Sequence, residues 1–527
     1  MKNYKKYILL VIIFLLVTYI IYNSHNDNII SSINYDRSNK TITKEELLDY
    51  DDYNKCSFNK ELLGSSKDYD YKKVFNKNKI QDVYIDINQN NLYYLLENAI
   101  DKPSVFINNI KIGDYSIDCA SIKTKGLTTL RYVWSYDYNK FSFTVNFKKY
   151  NKEQNLFGLT QISFNNMFSD SSMLKEFTSY YLFNEMGLDT VDYSFVNLYI
   201  NNEYYGVYFM IEPIEKPLLN RTMNSESDFF FKPNGYGASL LYDYELDNYL
   251  DSDGNYNFDS LVYNESGNFS YPRNKNNILN KYKAIWEDDA DSFKKVYNDL
   301  PIFFKTIRKL NELNSLENKN TKYFEEELES IIDVDKLIRF LAVDNYLVNT
   351  DGYVNSPARN YALYMNKDGY LTIVPWDYNM TFGSTILDDI NDVINYDIYN
   401  PTINCDIKDR PLINVILGND NYRNKYNEYL KDITKIMTEG GTTSNNNKYK
   451  KNNVSSIIDK YSTDLINNNT NCIQQFYNSS EIELGQKNLK EVYKLRSKSV
   501  LNQINGVDNK IKSDIDINSL GNLRMKK

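Results

Sequence analysis

The sequence predicts an α+β fold in two lobes, a β-rich N-terminal lobe and a helical C-terminal lobe, preceded by an N-terminal membrane segment. Three observations predict it. Residues from about 76 to 236 fall into short alternating or β-branched runs separated by Asn-Asn and Gly turns, the pattern of strands. From about 277 onward, apolar residues recur at helical spacing instead. The 527 residues are 42% apolar and 15% aromatic, which fills a sizeable core across more than one packing unit.

At the N-terminus, Lys2, Lys5 and Lys6 (residues 1–6, the cytoplasmic end) precede the charge-free run "YILLVIIFLLVTYIIY" at 7–22. This is either a signal peptide or a signal anchor. No small-x-small cleavage site follows it and aromatics lie at its edge, which favours an uncleaved anchor with the remaining chain outside the cytoplasm. Residues 23–75 are polar and patternless and read as a stalk. In the N-lobe, 76–236, the strands are "DVYIDI", "SVFINNIKIGDYSI", "KFSFTVNF", "QISFNN", "SFVNLYINNEYYGVYFMIE" and "DFFFKPNG". One helix interrupts them: "SSMLKEFTSYYLFNEMG" offers Ser caps, an apolar face through Leu174, Phe177, Tyr181 and Leu182, and a stop at Gly187. In the C-lobe, 237–505, "DVDKLIRFLAVDNYLVN" is capped by Asp333 or Asp335 and repeats Leu337, Phe340, Leu341 and Leu347. Further helix runs from about 421 to 505, broken by the low-complexity loop "EGGTTSNNNKYKKNN", and 506–527 is a polar tail.

Composition excludes several chemistries. The 61 basic and 70 acidic side chains give a net charge of -9 with no basic stripe, so nucleic acid is not an expected partner. The only histidine, His25, lies outside the predicted lobes. That removes Ser-His-Asp and Cys-His catalysis, His-ligated zinc and the 2-His-1-carboxylate iron centre. Cys56, Cys119, Cys405 and Cys472 form no C-x-x-C. They read either as one or two disulfides of unassigned pairing or as buried thiols.

Beyond the 333–349 helix come a loop acid, Asp351, then Asn360 opening the strand "NYALYM", the turn "NKDG", the strand "YLTIV" and Asp377. A hairpin of those two strands brings its outer ends together, so Asp351, Asn360 and Asp377 are expected to be neighbours. Loop acid, amide and strand-end acid followed by Phe-Gly is the layout of a kinase catalytic and metal-binding loop, here within 344–383. Phosphoryl transfer requires positioning and charge neutralisation and no imidazole.

Six segments in order over roughly residues 80–385 resemble the CotH-type kinases, an atypical protein-kinase-like family known from bacterial spore coats. They are "IKTKG", "NKFSFTVNF", "GLTQISFNNMFSDSSMLKEFTSYYLFNEMG", "VNLYINNEYYGVYFMIEPIEK", "NYLVNTDGY" and "RNYALYMNKDGYLTIVPWDYNMTFG". The resemblance implies a two-lobed kinase-like fold and an extracytoplasmic enzyme, membrane-anchored, secreted or in the spore coat, that uses ATP with Mg2+ or Mn2+ to phosphorylate Ser or Thr of coat or envelope proteins. Carried over by position, Asp351 is the catalytic base, Asp377 a metal ligand and Asn360 the second metal ligand. Lys140 is the phosphate-binding lysine with Lys125 as the alternative, and Glu212 lies near the adenine pocket or simply closes a strand. Asp170 reads as the cap of the following helix or as a nucleotide-side acid.

The sequence departs from the family pattern twice. Asn379 stands where a second acid is usual, and "VNSPA" lengthens the gap from Asp351 to Asn360, which leaves Asn355 as an alternative amide. These departures keep open a catalytically idle coat or surface component. Nucleotidyl transfer from the same fold is a narrower alternative.

Overall fold

Alternation organises the first half as predicted. In β1 (Gln81–Asp86) Val83 and Ile85 are buried while Asp82, Tyr84 and Asp86 face water, the period-two burial of a one-sided strand. The computed structural model describes residues 42–49, 73–215, 238–263, 296–356, 358–439 and 453–521, with shorter pieces between 51 and 56, 218 and 233, and 267 and 294. The chain divides at Thr43, and Lys44–Lys527 packs as one unit.

Six more strands follow β1: β2 (Val105–Ile112), β3 (Tyr115–Thr124), β4 (Phe143–Asn146), β5 (Gln161–Asn165), β6 (Tyr193–Ile200) and β7 (Glu203–Ile211). They close a barrel in the order β1-β2-β3-β4-β5-β7-β6. Neighbours are antiparallel except at the seam, where β1 and β6 run parallel with Val83 opposite Leu198. Closure leaves these strands no free edge.

"DFFFKPNG" does not join the barrel. Its strand β8 (Phe229–Phe231) pairs with β9 (Tyr361–Met365), which pairs with β10 (Leu371–Pro375) in a second sheet of order β10-β9-β8. A run of three Phe residues has no polar face to fix its partner, so the sequence alone could not choose between sheets. The predicted hairpin is β9–β10, its turn closed by Gly369 N donating to Asn366 O at 3.0 Å.

Three helices, not one, lie among the barrel strands: α1 (Gln89–Glu97), α2 (Thr128–Ser135) and α3 (Lys175–Glu185). The first two are short and bury only two or three residues each, which gives little periodicity to read. Helix α3 is buried on nearly all sides, including Lys175 and Glu176. At its start Asp170 Oδ2 accepts from Lys175 N at 2.7 Å, and Ser172 Oγ accepts from Leu174 N at 3.1 Å.

The helices that follow are α4 (Asp259–Val262), α5 (Leu300–Asn314), α6 (Lys322–Glu329), α7 (Val334–Tyr346), α8 (Ile390–Ile394), α9 (Pro411–Leu417), α10 (Asp420–Glu439), α11 (Val454–Asn469) and α12 (Ser479–Ile504). Asp333 caps α7 by accepting from Lys336 N. One hydrophobic core runs from Val83 in β1 to Val500 in α12. Cys56 and Cys119 form a disulfide, and Cys405 and Cys472 are free thiols. Among the described residues no helix is long and apolar enough to cross a membrane. The apolar run 7–22, most of the stalk and most of the loop 439–453 lie outside the described residues.

Candidate functional site

Where β3 ends and α3 begins, the barrel opens on a cleft lined by Lys125, Gly126, Ser142, Asn165, Ser169, Asp170, Glu176, Asp377 and Asn379. Lys125 is the first residue past β3, and its backbone N donates to Ser142 O at 2.9 Å. The next residue, Gly126, has φ +103, and a Cβ there would meet Thr129 Oγ1 at 3.2 Å, so glycine is needed at this lip of the cleft.

A chain of hydrogen bonds crosses the cleft. Lys125 Nζ donates to Asn165 Oδ1 at 2.6 Å, and Asn165 Nδ2 donates to Glu176 Oε2 at 2.9 Å. Glu176 is 4% exposed, and its Oε1 is buried with no hydrogen-bond partner. Burial and the neighbouring charge of Asp377 push its pKa up to about 8, against the lowering influence of Asn165 and Lys125. Burial lowers the Lys125 pKa, which the charges of Asp377 and Glu176 oppose.

Asp377 is delivered by β10 and held by α3. Its backbone is left-handed (φ 59, ψ 65), and its N–H donates to Tyr180 Oη at 3.1 Å. Tyr180 follows Glu176 by one helical turn, so one face of α3 presents both the carboxylate and the hydroxyl that fixes the strand-end acid. Lys125 Nζ also lies 5.7 Å from the centre of the Trp376 ring.

Asp351 stands close enough to Asp377 for the two charges to interact, and burial is the main influence raising its pKa. Its Oδ1 accepts from Arg359 Nε at 2.9 Å and Nη2 at 2.5 Å, and its Oδ2 from Asn360 Nδ2 at 2.8 Å. Behind both acids lies Asp344 of α7, buried, with its pKa pushed up to about 6 by burial. Its Oδ1 accepts from Asn349 Nδ2 at 2.9 Å and from Tyr378 Oη at 2.8 Å, which joins the Asp351 loop to the residue after Asp377.

The structure therefore brings together Lys125, Asp377 and Asp351 with its neighbour Asn360. Asp170 lines the cleft too, yet both its oxygens are occupied in capping α3 and binding Ser172. Lys140 and Glu212 are not among the residues lining the cleft. Lys140 is 1% exposed, its ammonium 5.7 Å and 5.5 Å from the ring centres of Tyr208 and Phe476. Glu212 accepts from Arg221 Nη2 at 2.6 Å and Asp192 N at 2.9 Å, and burial pushes its pKa up to about 7. Asn355 is committed at both ends, donating to Tyr396 Oη and accepting from Ile403 N. Glu176 and Asn165 were missed from the sequence. A glutamate in the first turn of a helix reads as a helix-start signal, and only the fold sets it beside Lys125 and Asp377.

The donor set suits an oxygen-liganded divalent cation. Two carboxylates, one with an orphaned buried oxygen and a proton that a cation would displace, face the same cleft as the Asn379 side chain. Among the described residues no group of three or more His, Cys, Asp or Glu forms a metal cage. An ion of the Mg2+ type, held by one or two carboxylates and completed by phosphate oxygens and water, would match that pair of acids.

A family model described as "CotH kinase protein" matches residues 122–500. The chain is also similar to "Inner spore coat protein H" of Bacillus subtilis (strain 168), 24% identical over 251 residues. That match covers 47% of this chain and 57% of the relative's length.

Proposed function

The chain belongs to the CotH family, and from that premise we propose that it is an extracytoplasmic protein kinase. It transfers the γ-phosphoryl group of ATP to a Ser or Thr hydroxyl of a coat or envelope protein, with Mg2+ or Mn2+. In this reading the barrel is the N-lobe and the helices from α5 onward are the C-lobe. The 7–22 run anchors the chain outside the cytoplasm, and the coat protein named above supports a place in the spore coat.

The observation that carries the reading is the single cluster of Lys125, Glu176 and Asp377, assembled from three distant parts of the chain. Lys125 supplies an ammonium for a nucleotide phosphate, positioned by Asn165. Asp377 and Glu176 would hold the metal, which when bound neutralises phosphate charge. Asp351 orients the acceptor hydroxyl and takes its proton as the oxygen bonds to phosphorus and the ADP oxygen departs. Arg359 and Asn360 fix the Asp351 carboxylate for that step.

A second reading, an idle coat component, is favoured by one observation: Asn379 faces the cleft where the family carries a second acid. One experiment separates them. The purified chain is incubated with γ- or α-labelled ATP, Mn2+ or Mg2+ and a Ser-rich acceptor, beside Asp351→Ala and Asp377→Ala. The kinase reading expects γ-label transfer that each substitution lowers by about a hundredfold or more. Transfer of α-label would mean nucleotidyl transfer, binding without transfer the idle component, and no binding would sink the nucleotide reading.

A further inference from the structure

One wall of the cleft is a turn whose own hydrogen bonds, Asp170 N to Met167 O, Met173 N to Asp170 O and Ser172 N to Asp170 Oδ1, still leave two of its residues in strained backbone. Residues 167–173 connect β5 to α3, and at both ends of the turn a non-glycine residue has left-handed backbone: Met167 at φ 58 and Met173 at φ 61. Ser169 and Asp170, at its centre, line the cleft. Backbone of this kind persists only where surrounding structure over-determines it.

The surroundings come from α12 and the residues before it, where Tyr477 Oη donates to Phe168 O at 2.9 Å and Gln486 Nε2 to Ser172 O at 3.3 Å, and from the far end of the chain. The short helical segment Ile517–Leu520 and Gly521 lie along the back of the turn. Ser171 Oγ donates to Ser519 O at 2.5 Å, and Asn488 of α12 donates to Ser519 Oγ at 2.7 Å. Gly521, at φ 72, packs so tightly that a Cβ would stand 2.7 Å from Ser171 N and 2.9 Å from Ser169 O. Lys175, fully buried in the first turn of α3, joins three pieces with one ammonium: Ser169 O at 3.2 Å, Ser384 Oγ at 3.0 Å and Gly521 O at 2.8 Å. Ser384 belongs to the turn after Asp377, where Phe382 N and Gly383 N donate to Leu347 O and Val348 O, just before the Asp351 loop.

We propose that residues 516–521 are an in-chain strap, with Lys175 as its positioning residue, that holds the 167–173 wall and the 381–384 turn in the shape that binds ligand. The strap rests on the reading of this cleft as a nucleotide site and adds its control: whatever lifts the C-terminal segment opens the cleft from behind.

The test compares the full chain with a chain lacking 516–527 and with Gly521→Ala, which keeps its length but wedges a methyl against Ser171. Titration with ATP and Mn2+ is expected to show affinity about tenfold weaker in both variants, the size of one released backbone strain. Melting temperatures stay within a few degrees of the parent. Unchanged affinity in both variants overturns the strap. If the full chain binds no ATP, the nucleotide reading fails, and amide hydrogen exchange then decides the strap alone. Faster exchange in the truncated chain confined to 167–174 and 381–385 supports it, and exchange that is unchanged or raised throughout overturns it.

Discussion

At Glu176 the balance between burial and pairing is tight enough to be read by titration. Its pKa of about 8 stands above the ordinary carboxylate value, so the folded chain holds a proton here that the unfolded chain releases at pH near 4.5. The stability this group contributes is therefore complete below that pH and is lost as pH rises toward about 8. Glu176→Gln cannot titrate, so its melting temperature relative to the parent should rise steadily between pH 5 and pH 8. A melting series across that range checks it, and a constant difference would refute the assignment. If Glu176 holds the metal as proposed, Mn2+ would compete with the same proton, and it should then raise the parent's melting temperature more at pH 8 than at pH 6 and do little for the variant. Arg359 acts in the opposite sense on Asp351, lowering a pKa that burial raises. In Arg359→Gln the acid limb of any transfer activity should move to higher pH, visible in a pH–rate profile. Asp377 was expected at the end of the strand "YLTIV", whereas Lys125 stood only as the alternative to Lys140, carried by the resemblance of "IKTKG". Glu176 was not, because both of its charged partners, at 125 and 377, reach it only through the fold.

Helix α7 shows which elements a sequence discloses. Its aspartate cap and its spacing of Leu337, Phe340 and Leu341 are local, and so is the Asn-Lys-Asp-Gly turn of the β9–β10 hairpin. What is not local is the use α7 makes of Asp344, an acid on an otherwise apolar helix face whose two donors arrive from separate loops. Asp344→Ala leaves Asn349 and Tyr378 without their acceptor in the core and should cost about 2–4 kcal/mol, read from denaturant unfolding. Asp344→Asn keeps an acceptor oxygen and should cost less than half of that. Helices α1 and α2 escaped notice for the opposite reason, since each is too short to repeat a pattern. The strand β8 was seen, but three consecutive Phe residues carried no instruction about which sheet to join.

For the whole molecule, the α+β class followed from the pattern, whereas closure of the barrel did not. The parallel contact between β1 and β6 leaves no readable mark: β1 alternates as any one-sided strand does, while β6 is buried throughout Tyr193–Val196 and alternates only beyond, which names no partner. The disulfide likewise had no readable partner, because Cys56 and Cys119 are 63 residues apart and meet through β3. It is expected to contribute up to about 4 kcal/mol by restricting the unfolded chain. Cys56→Ser, or reduction of the parent, should lower the melting temperature by several degrees, while Cys472→Ser should not.

The parallel seam also sets a schedule. Asn197 in β6 bonds Asp82 in β1 across a separation of 115 residues, so a chain made amino end first must carry β1 with one side unmatched until β6 arrives. An unmatched strand in that interval is an invitation to pair with a neighbouring chain. Synthesis at high density should then favour entangled multimers, and slowing the supply of chains should favour the closed barrel.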